Sequence, residues 1–179
     1  MKKLIAFDLD GTLAPSKSHF HDRMVNMFDR LLEKYEVCVI SGGKYELYQR
    51  QFLTQITKDP ELLNKLHLMP TSGTRYYRFE QDDWKLVYAE DIPQKDKQRI
   101  IKALEDGLDE SGYREAKIYG DIIEDRESQI SLSILGQEIV AELGPEGVKI
   151  KEEWDPDASK KHRLRDIIAP KIPDYEVRA

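Results

Sequence analysis

Residues 4–13 read Leu-Ile-Ala-Phe-Asp-Leu-Asp-Gly-Thr-Leu: four apolar residues run straight into two carboxylates one residue apart, then a glycine, a threonine and a leucine. The run Leu4 to Phe7 is too short for a helix and is closed by a turn signal, so it predicts a fully buried strand. Side chains alternate faces along a strand, which would send Asp8 and Asp10 the same way if the strand continued. At the C-terminal end of a strand in an open parallel sheet, where ligands bind, two carboxylates would then share a crevice. Such a pair can hold a hard cation, and one acid can attack an electrophile while the other moves a proton. The string DLDG alone also fits a loop of solvated acids turned by its glycine. The apolar strand before it and the Thr12-Leu13 that follows favour the site.

The chain beyond this stretch repeats the same grammar. Met24, Met27, Phe28, Leu31 and Leu32 recur at helical spacing and predict a helix from about His21 to Lys34, with His19 and His21 exposed near its start. Glu36 to Ile40 is a second buried strand, which makes a right-handed βαβ unit and places its C-terminal end at the same crevice as Asp8. It ends in Ser41-Gly42-Gly43. A serine hydroxyl and glycine backbone N–H groups can cradle a phosphate oxygen, helped by the N-terminus of a helix over about 44–56. The same three residues also suit a generic turn. Leu66 to Met69 predicts a third strand after a poor helix around Glu61 to Lys65. The loop Thr71 to Thr74 follows, and then Tyr76 to Phe79 and Trp84 to Tyr88 form a hairpin about Glu80-Gln81-Asp82-Asp83.

DLDGTL after an N-terminal strand resembles the first motif of the haloacid dehalogenase superfamily of phosphatases and phosphotransferases. The resemblance implies Asp8 as nucleophile, Asp10 as general acid/base, and Mg2+ held by Asp8 and the backbone carbonyl of Asp10. Thr12 and Gly42 fall on substrate-binding positions, and Ser41 on the Ser/Thr of the second motif, which Ile40 to Glu46 resembles. The implied fold class is α/β: a partial Rossmann-like parallel-sheet core over residues 1–90, with an inserted α+β cap over 91–179.

The cap reading begins at about Ile92. Ile100, Ile101, Leu104 and Leu108 mark a helix from Gln94 to about Glu110. Strands over Lys117 to Ile123 and Gln129 to Leu135 follow, joined at Asp125-Arg126-Glu127-Ser128, then a helix from about Asp157 to Ile168 and the start of a strand at Pro173 to Val177. Ile123 to Gly136 resembles the cap hairpin of the phosphomannomutase-like branch, which places Arg126 on an arginine that contacts a distal phosphate. Further cap arginines of that branch are replaced here by Gly120 and Gln137, which favours hydrolysis over a mutase reaction. Gly120 to Asp125 also carries the spacing of the superfamily's acidic fourth motif, and Lys97 could stand as its third-motif lysine. Both are set aside, because alternating residues follow the acids where a helix is required, and Lys97 lies in a run that suits the solvated face of a helix. The resemblance also implies a return to the core after Ala179, so it describes a C-terminally truncated chain with weak or absent activity by itself, or a non-catalytic module.

Composition limits the partners. A net charge of −6 disfavours non-specific nucleic-acid binding. No apolar stretch approaches membrane-spanning length and the N-terminus has no signal-peptide pattern, so a cytoplasmic setting is expected. The lone Cys38, inside Val-Cys-Val-Ile, reads as a small core residue. The expected ligands are Mg2+ and a small phosphorylated metabolite, with a sugar phosphate favoured; the resemblance also implies pairing of two copies through the cap.

Overall fold

In a computed structural model that describes residues 4–15 and 18–179, the chain divides into two compact units, residues 1–91 and 92–179. The first holds a five-stranded sheet in the order β1-β2-β3-β4-β5. β1 (Leu4–Asp8), β2 (Glu36–Ile40) and β3 (Leu66–Met69) run parallel. β4 (Arg75–Glu80) and β5 (Asp83–Ala89) then extend the sheet antiparallel, turning through Gln81 and Asp82, both at positive φ.

Helix α1 (Asp22–Lys34) crosses between β1 and β2 and buries Phe28 and Leu32, an i, i+4 pair on one helix face. After β2, α2 (Tyr45–Tyr48) passes without a break into a π-helical turn over Gln49–Leu53. A short α3 (Pro60–Leu63) leads to β3. Val37, Val39, Leu66 and Leu68 are fully buried, and they join Leu9, Phe20, Phe28, Leu32, Tyr48 and Phe52 in one core.

β1 differs from its sequence expectation. Among the described residues it pairs only with β2 and forms the edge of the sheet, so Leu4, Ala6 and Asp8 are exposed while Ile5 and Phe7 are half-buried. An apolar run reports that a strand can be buried; neighbours on both sides are needed to bury it.

His67 on β3 sits in a polar cluster of the same sheet. Its Nδ1 lies 2.7 Å from the Tyr76 hydroxyl and 2.8 Å from the Arg78 guanidinium. Its Nε2 lies 3.4 Å from a Glu36 carboxylate oxygen, but Glu36 is 53% exposed against 17% for His67, so solvent screens that attraction. Burial first and Arg78 second hold the imidazole below its ordinary pKa. The unfolded chain therefore binds this proton more readily than the folded one, and stability is lost as pH falls from about 6.5 towards the lower folded value. Urea midpoints measured between pH 8 and pH 5.5 are expected to fall in that window, and His67→Gln to flatten the fall. An equal slope in both proteins would assign the effect elsewhere.

The second unit is built on α4 (Gln94–Ser111), packed against α7 (Ser159–Ile168) through Ile100, Leu104, Leu108, Leu164 and Ile168. A short antiparallel pair, β6 (Ile123–Asp125) and β7 (Ile130–Leu132), carries the turn at Arg126. Both strands are shorter than their alternating sequence suggests. The flanks still bond, with Tyr119 N–H to Leu135 O at 2.9 Å and Glu138 N–H to Tyr119 O at 2.9 Å. Gly136, at φ +91°, folds so tightly there that a Cβ would meet Tyr119 O at 2.0 Å, and the ladder ends.

Two helices not expected from sequence, α5 (Ile139–Leu143) and α6 (Pro145–Trp154), fill the interval before α7. The strand expected at 173–177 is a turn instead, closed by Tyr175 N–H to Ile172 O at 3.0 Å, because Ile172 is drawn into the core and Pro173 cannot donate to a ladder. Lys97 is not on a solvated face. Its side chain is 12% exposed and its Nζ pairs with Asp125 at 2.9 Å. No helix among the described residues is long and apolar enough to cross a membrane.

Candidate active site

β1 ends at Asp8, whose register partner on the parallel β2 is Ile40, and Ser41 follows directly. The loops that leave the two strands therefore start side by side. In the first loop, Leu9 O accepts N–H bonds from Leu13 at 3.0 Å and Ala14 at 3.2 Å, and Gly11 N–H closes on Ala14 O at 2.7 Å. Gly11 stands at φ +79° with nothing near the position of a Cβ, so backbone conformation reserves this residue for glycine. Leu9, Leu13 and Ala14 enter the core, while Asp8 is exposed, Asp10 half-buried and Thr12 exposed. The apolar half of DLDGTL anchors the loop, and the acids are left on its outer side.

The second loop is clamped from β3. Ser41 is buried and its N–H donates to Met69 O at 3.3 Å; Ser72 N–H donates to Ser41 O and Thr71 N–H to Gly43 O, each at 2.9 Å. Thr71 and Ser72 both stand in the left-handed region, at φ 50° and 58°. For a buried β-branched residue that conformation carries strain, and here it aims two successive N–H groups at the Ser41–Gly43 loop. Tyr48 reaches the same place, its hydroxyl donating to Met69 O at 3.1 Å. Burial drives its phenol pKa far up against the opposing Ser41 N–H, with smaller upward contributions from Cys38, Asp8 and Asp10, so Tyr48 stays a protonated donor. Gly42, half-buried, lies between the clamped residues.

Asp10 is held from a third direction, by Gln51, whose Nε2 donates to its Oδ1 at 3.0 Å. The first unit thus brings together Asp8, Asp10, Ser41 and Gly42, with Thr12 on the first loop. Arg126 belongs to the second unit. Its Nε lies 2.9 Å and its second terminal nitrogen 2.8 Å from one carboxylate oxygen of Glu124, so part of its fork is already engaged. Asp121 and Asp125 precede the antiparallel strand β7 and no helix, the context for which the acidic-motif reading was set aside.

Among the described residues, no cluster of three or more His, Cys, Asp and Glu side chains could hold a metal. Asp8 and Asp10 are the acids at the first loop. One or two carboxylates, completed by water and phosphate oxygens, is a donor set that suits Mg2+.

A family model described as haloacid dehalogenase-like hydrolase matches residues 5–160. The chain belongs to this family. Among curated relatives of these hydrolases, it is 27% identical over 93 residues to an HMP-PP phosphatase of Shigella flexneri serotype 5b, and 28% identical over 93 residues to one of Escherichia coli O157:H7. Each match covers 52% of this chain and 31% of the relative, so the chain matches about a third of their length. Among solved structures, ATP-bound Plasmodium falciparum IMP-nucleotidase superposes with a TM-score of 0.60 at 19% identity, over 95% of this chain and 42% of that one. A haloacid dehalogenase-like hydrolase from B. subtilis gives a TM-score of 0.51 at 20% identity, over 96% and 52%. At these identities the structural likeness speaks for the fold alone.

Two parts of the site were not foreseen from the sequence. The Thr71–Gly73 turn leaves no signal beyond a polar, glycine-containing loop. Gln51 left a faint one: a polar residue between Tyr48 and Phe52 on the side of the helix that faces the core.

Proposed function

We propose that this hydrolase performs Mg2+-dependent phosphoryl transfer through Asp8, most simply the hydrolysis of a sugar phosphate or a similar small phosphomonoester. The observation that carries the reading is the juxtaposition of Asp8 with the Ser41–Gly43 loop at the ends of two parallel strands, with Asp10 held beside them. The family of hydrolases and the relatives named phosphatase support hydrolysis over isomerisation. So does Arg126, already paired with Glu124 and flanked by Gly120 and Gln137, where a mutase needs positive charge for a second phosphate.

In this reading an oxygen of the Asp8 carboxylate attacks phosphorus and the bond to the leaving oxygen breaks, giving an aspartyl-phosphate. Asp10 gives its proton to the departing alkoxide. It then takes a proton from the water that attacks the aspartyl-phosphate, which releases phosphate and restores Asp8. The Ser41 hydroxyl and the loop backbone hold the phosphoryl oxygens in line. Mg2+, held by Asp8 and the carbonyl of Asp10, would supply charge neutralisation for those oxygens.

The test is phosphate release from p-nitrophenyl phosphate and a panel of hexose phosphates, measured on this chain and on any longer natural form. Release is expected with Mg2+, to be lost in EDTA and to return when Mg2+ is restored. Rapid quenching should trap a chain one phosphate heavier. No release from either form, together with no Mg2+-dependent thermal shift, would identify a non-catalytic module.

A further inference from the structure

Gln51 is 1% exposed and stands on the π-helical turn, in a stretch whose neighbours Tyr48, Phe52 and Leu53 are all core residues. A position so enclosed ordinarily holds leucine or methionine, since burying an amide costs free energy unless both of its ends are bonded. Only one end is. Nε2 donates to Asp10 Oδ1 at 3.0 Å, while Oε1 is buried with no hydrogen-bond partner among the described residues. The amide nitrogen faces Oδ1, which accepts this bond while the other carboxyl oxygen carries the proton to be given up.

The helix is also distorted at this point. An α-helical start gives way to a π-turn across Gln49–Leu53, a rare form that recurs at functional sites. The arm is braced as well as bent: Gln51 O accepts Phe20 N–H at 3.0 Å, and the Phe20 ring stacks on Phe52 at 5.0 Å. A buried polar group half-satisfied, a distorted helix and a braced backbone all converge on a single bond to a single carboxylate.

We propose that Gln51 is a positioning residue whose amide fixes the orientation of the Asp10 carboxylate towards the leaving oxygen. The inference rests on the reading of Asp10 as the proton donor. Without the amide, Asp10 loses the hydrogen bond at Oδ1, and its carboxyl group is held less tightly in the orientation that presents its proton to the leaving oxygen. The cost of that freedom depends on the substrate: an alkyl leaving group needs the proton, whereas p-nitrophenolate departs with little help.

The test replaces Gln51 by methionine, which keeps the volume and removes the amide, and compares p-nitrophenyl phosphate with glycerol phosphate. For glycerol phosphate kcat is expected to fall about 10- to 100-fold with KM nearly constant. The fall for p-nitrophenyl phosphate should be about ten times smaller, and Tm should hold or rise as the half-satisfied amide is removed. Equal losses on both esters, or no loss on either, overturn the proposal.

A second measurement does not require turnover. In the wild-type chain the Gln51 side-chain amide protons should exchange slowly, and Asp10→Ala should shift their NMR signals and speed their exchange. Signals indifferent to Asp10→Ala overturn the positioning role. A wild-type chain that turns over neither ester yet keeps the amide contact would instead count against the phosphatase reading.

Discussion

Replacing Asp8 by asparagine is expected to abolish Mg2+-dependent phosphate release while leaving the fold intact. The substitution keeps the shape of the side chain, but an amide oxygen cannot attack phosphorus to form the covalent intermediate. Loss of a covalent nucleophile costs an enzyme on the order of four to six powers of ten in kcat. Asp8 is exposed at the end of an edge strand, and the described residues give its carboxylate no hydrogen bond or ion pair that folding depends on. Neutralising it also removes one negative charge from an acidic loop, so the melting temperature should hold or rise slightly. Phosphate release and thermal melting of wild type and Asp8→Asn, run side by side, check both halves. Residual release above a thousandth of the wild-type rate would mean that the nucleophile is another group or a water molecule. A collapse in melting temperature would mean that Asp8 is structural.

This effect could be anticipated because the residues that bear it lie where local pattern is strongest. Leu9, Leu13 and Ala14 are core residues, and the alternation of apolar and polar positions in DLDGTL already separates them from Asp8 and Asp10. The βαβ order, α1, α4, the parallel pairing of β1 with β2 and the hairpin at Gln81-Asp82 follow from the same local chemistry: helical spacing, strand alternation and turn residues. What stayed hidden depends on partners remote in sequence. The exposure of β1 is decided by what lies beside it in the sheet. The burial of Lys97 is decided by Asp125, 28 residues away. Gln51 acquires its part from Asp10, 41 residues away, and from a π-turn that composition does not announce. The left-handed Thr71 and Ser72 are forced by the Ser41–Gly43 loop they hold, against their own preference. Sequence reading therefore named Asp8, Asp10 and the Ser41–Gly43 loop, which the structure sets at the ends of adjacent strands, and missed the groups that hold them in place.

That division makes the core around Gln51 the point where stability and chemistry meet, and Phe52→Ala is the change that should expose it. Phe52 is fully buried; its ring stacks on Phe20 at 5.0 Å and meets Phe28 edge-on at 5.8 Å. Truncating such a residue typically costs about 3–5 kcal/mol, the lost burial plus the cavity left behind. At roughly 0.05–0.15 kcal/mol per residue, a unit spanning residues 1–91 has only about 5–14 kcal/mol in total. The variant should therefore lose between a fifth and all of that margin, seen as a marked drop in the urea midpoint followed through Trp84, which packs on this core. Phe52→Leu, which refills most of the volume, should lose less than half as much. The consequence for the site follows from the bracing: with Phe52 gone, Phe20 loses its stacking partner, and the backbone bond from Phe20 to Gln51 no longer has a rigid support. Amide exchange at Phe20 and in the π-turn should accelerate before the rest of the first unit opens, and the contact between Gln51 and Asp10 should weaken in variant molecules that are still folded. A stability loss below about 1 kcal/mol would show instead that the three phenylalanine rings are loosely packed, and the rigidity attributed to the Gln51 arm would fall with them.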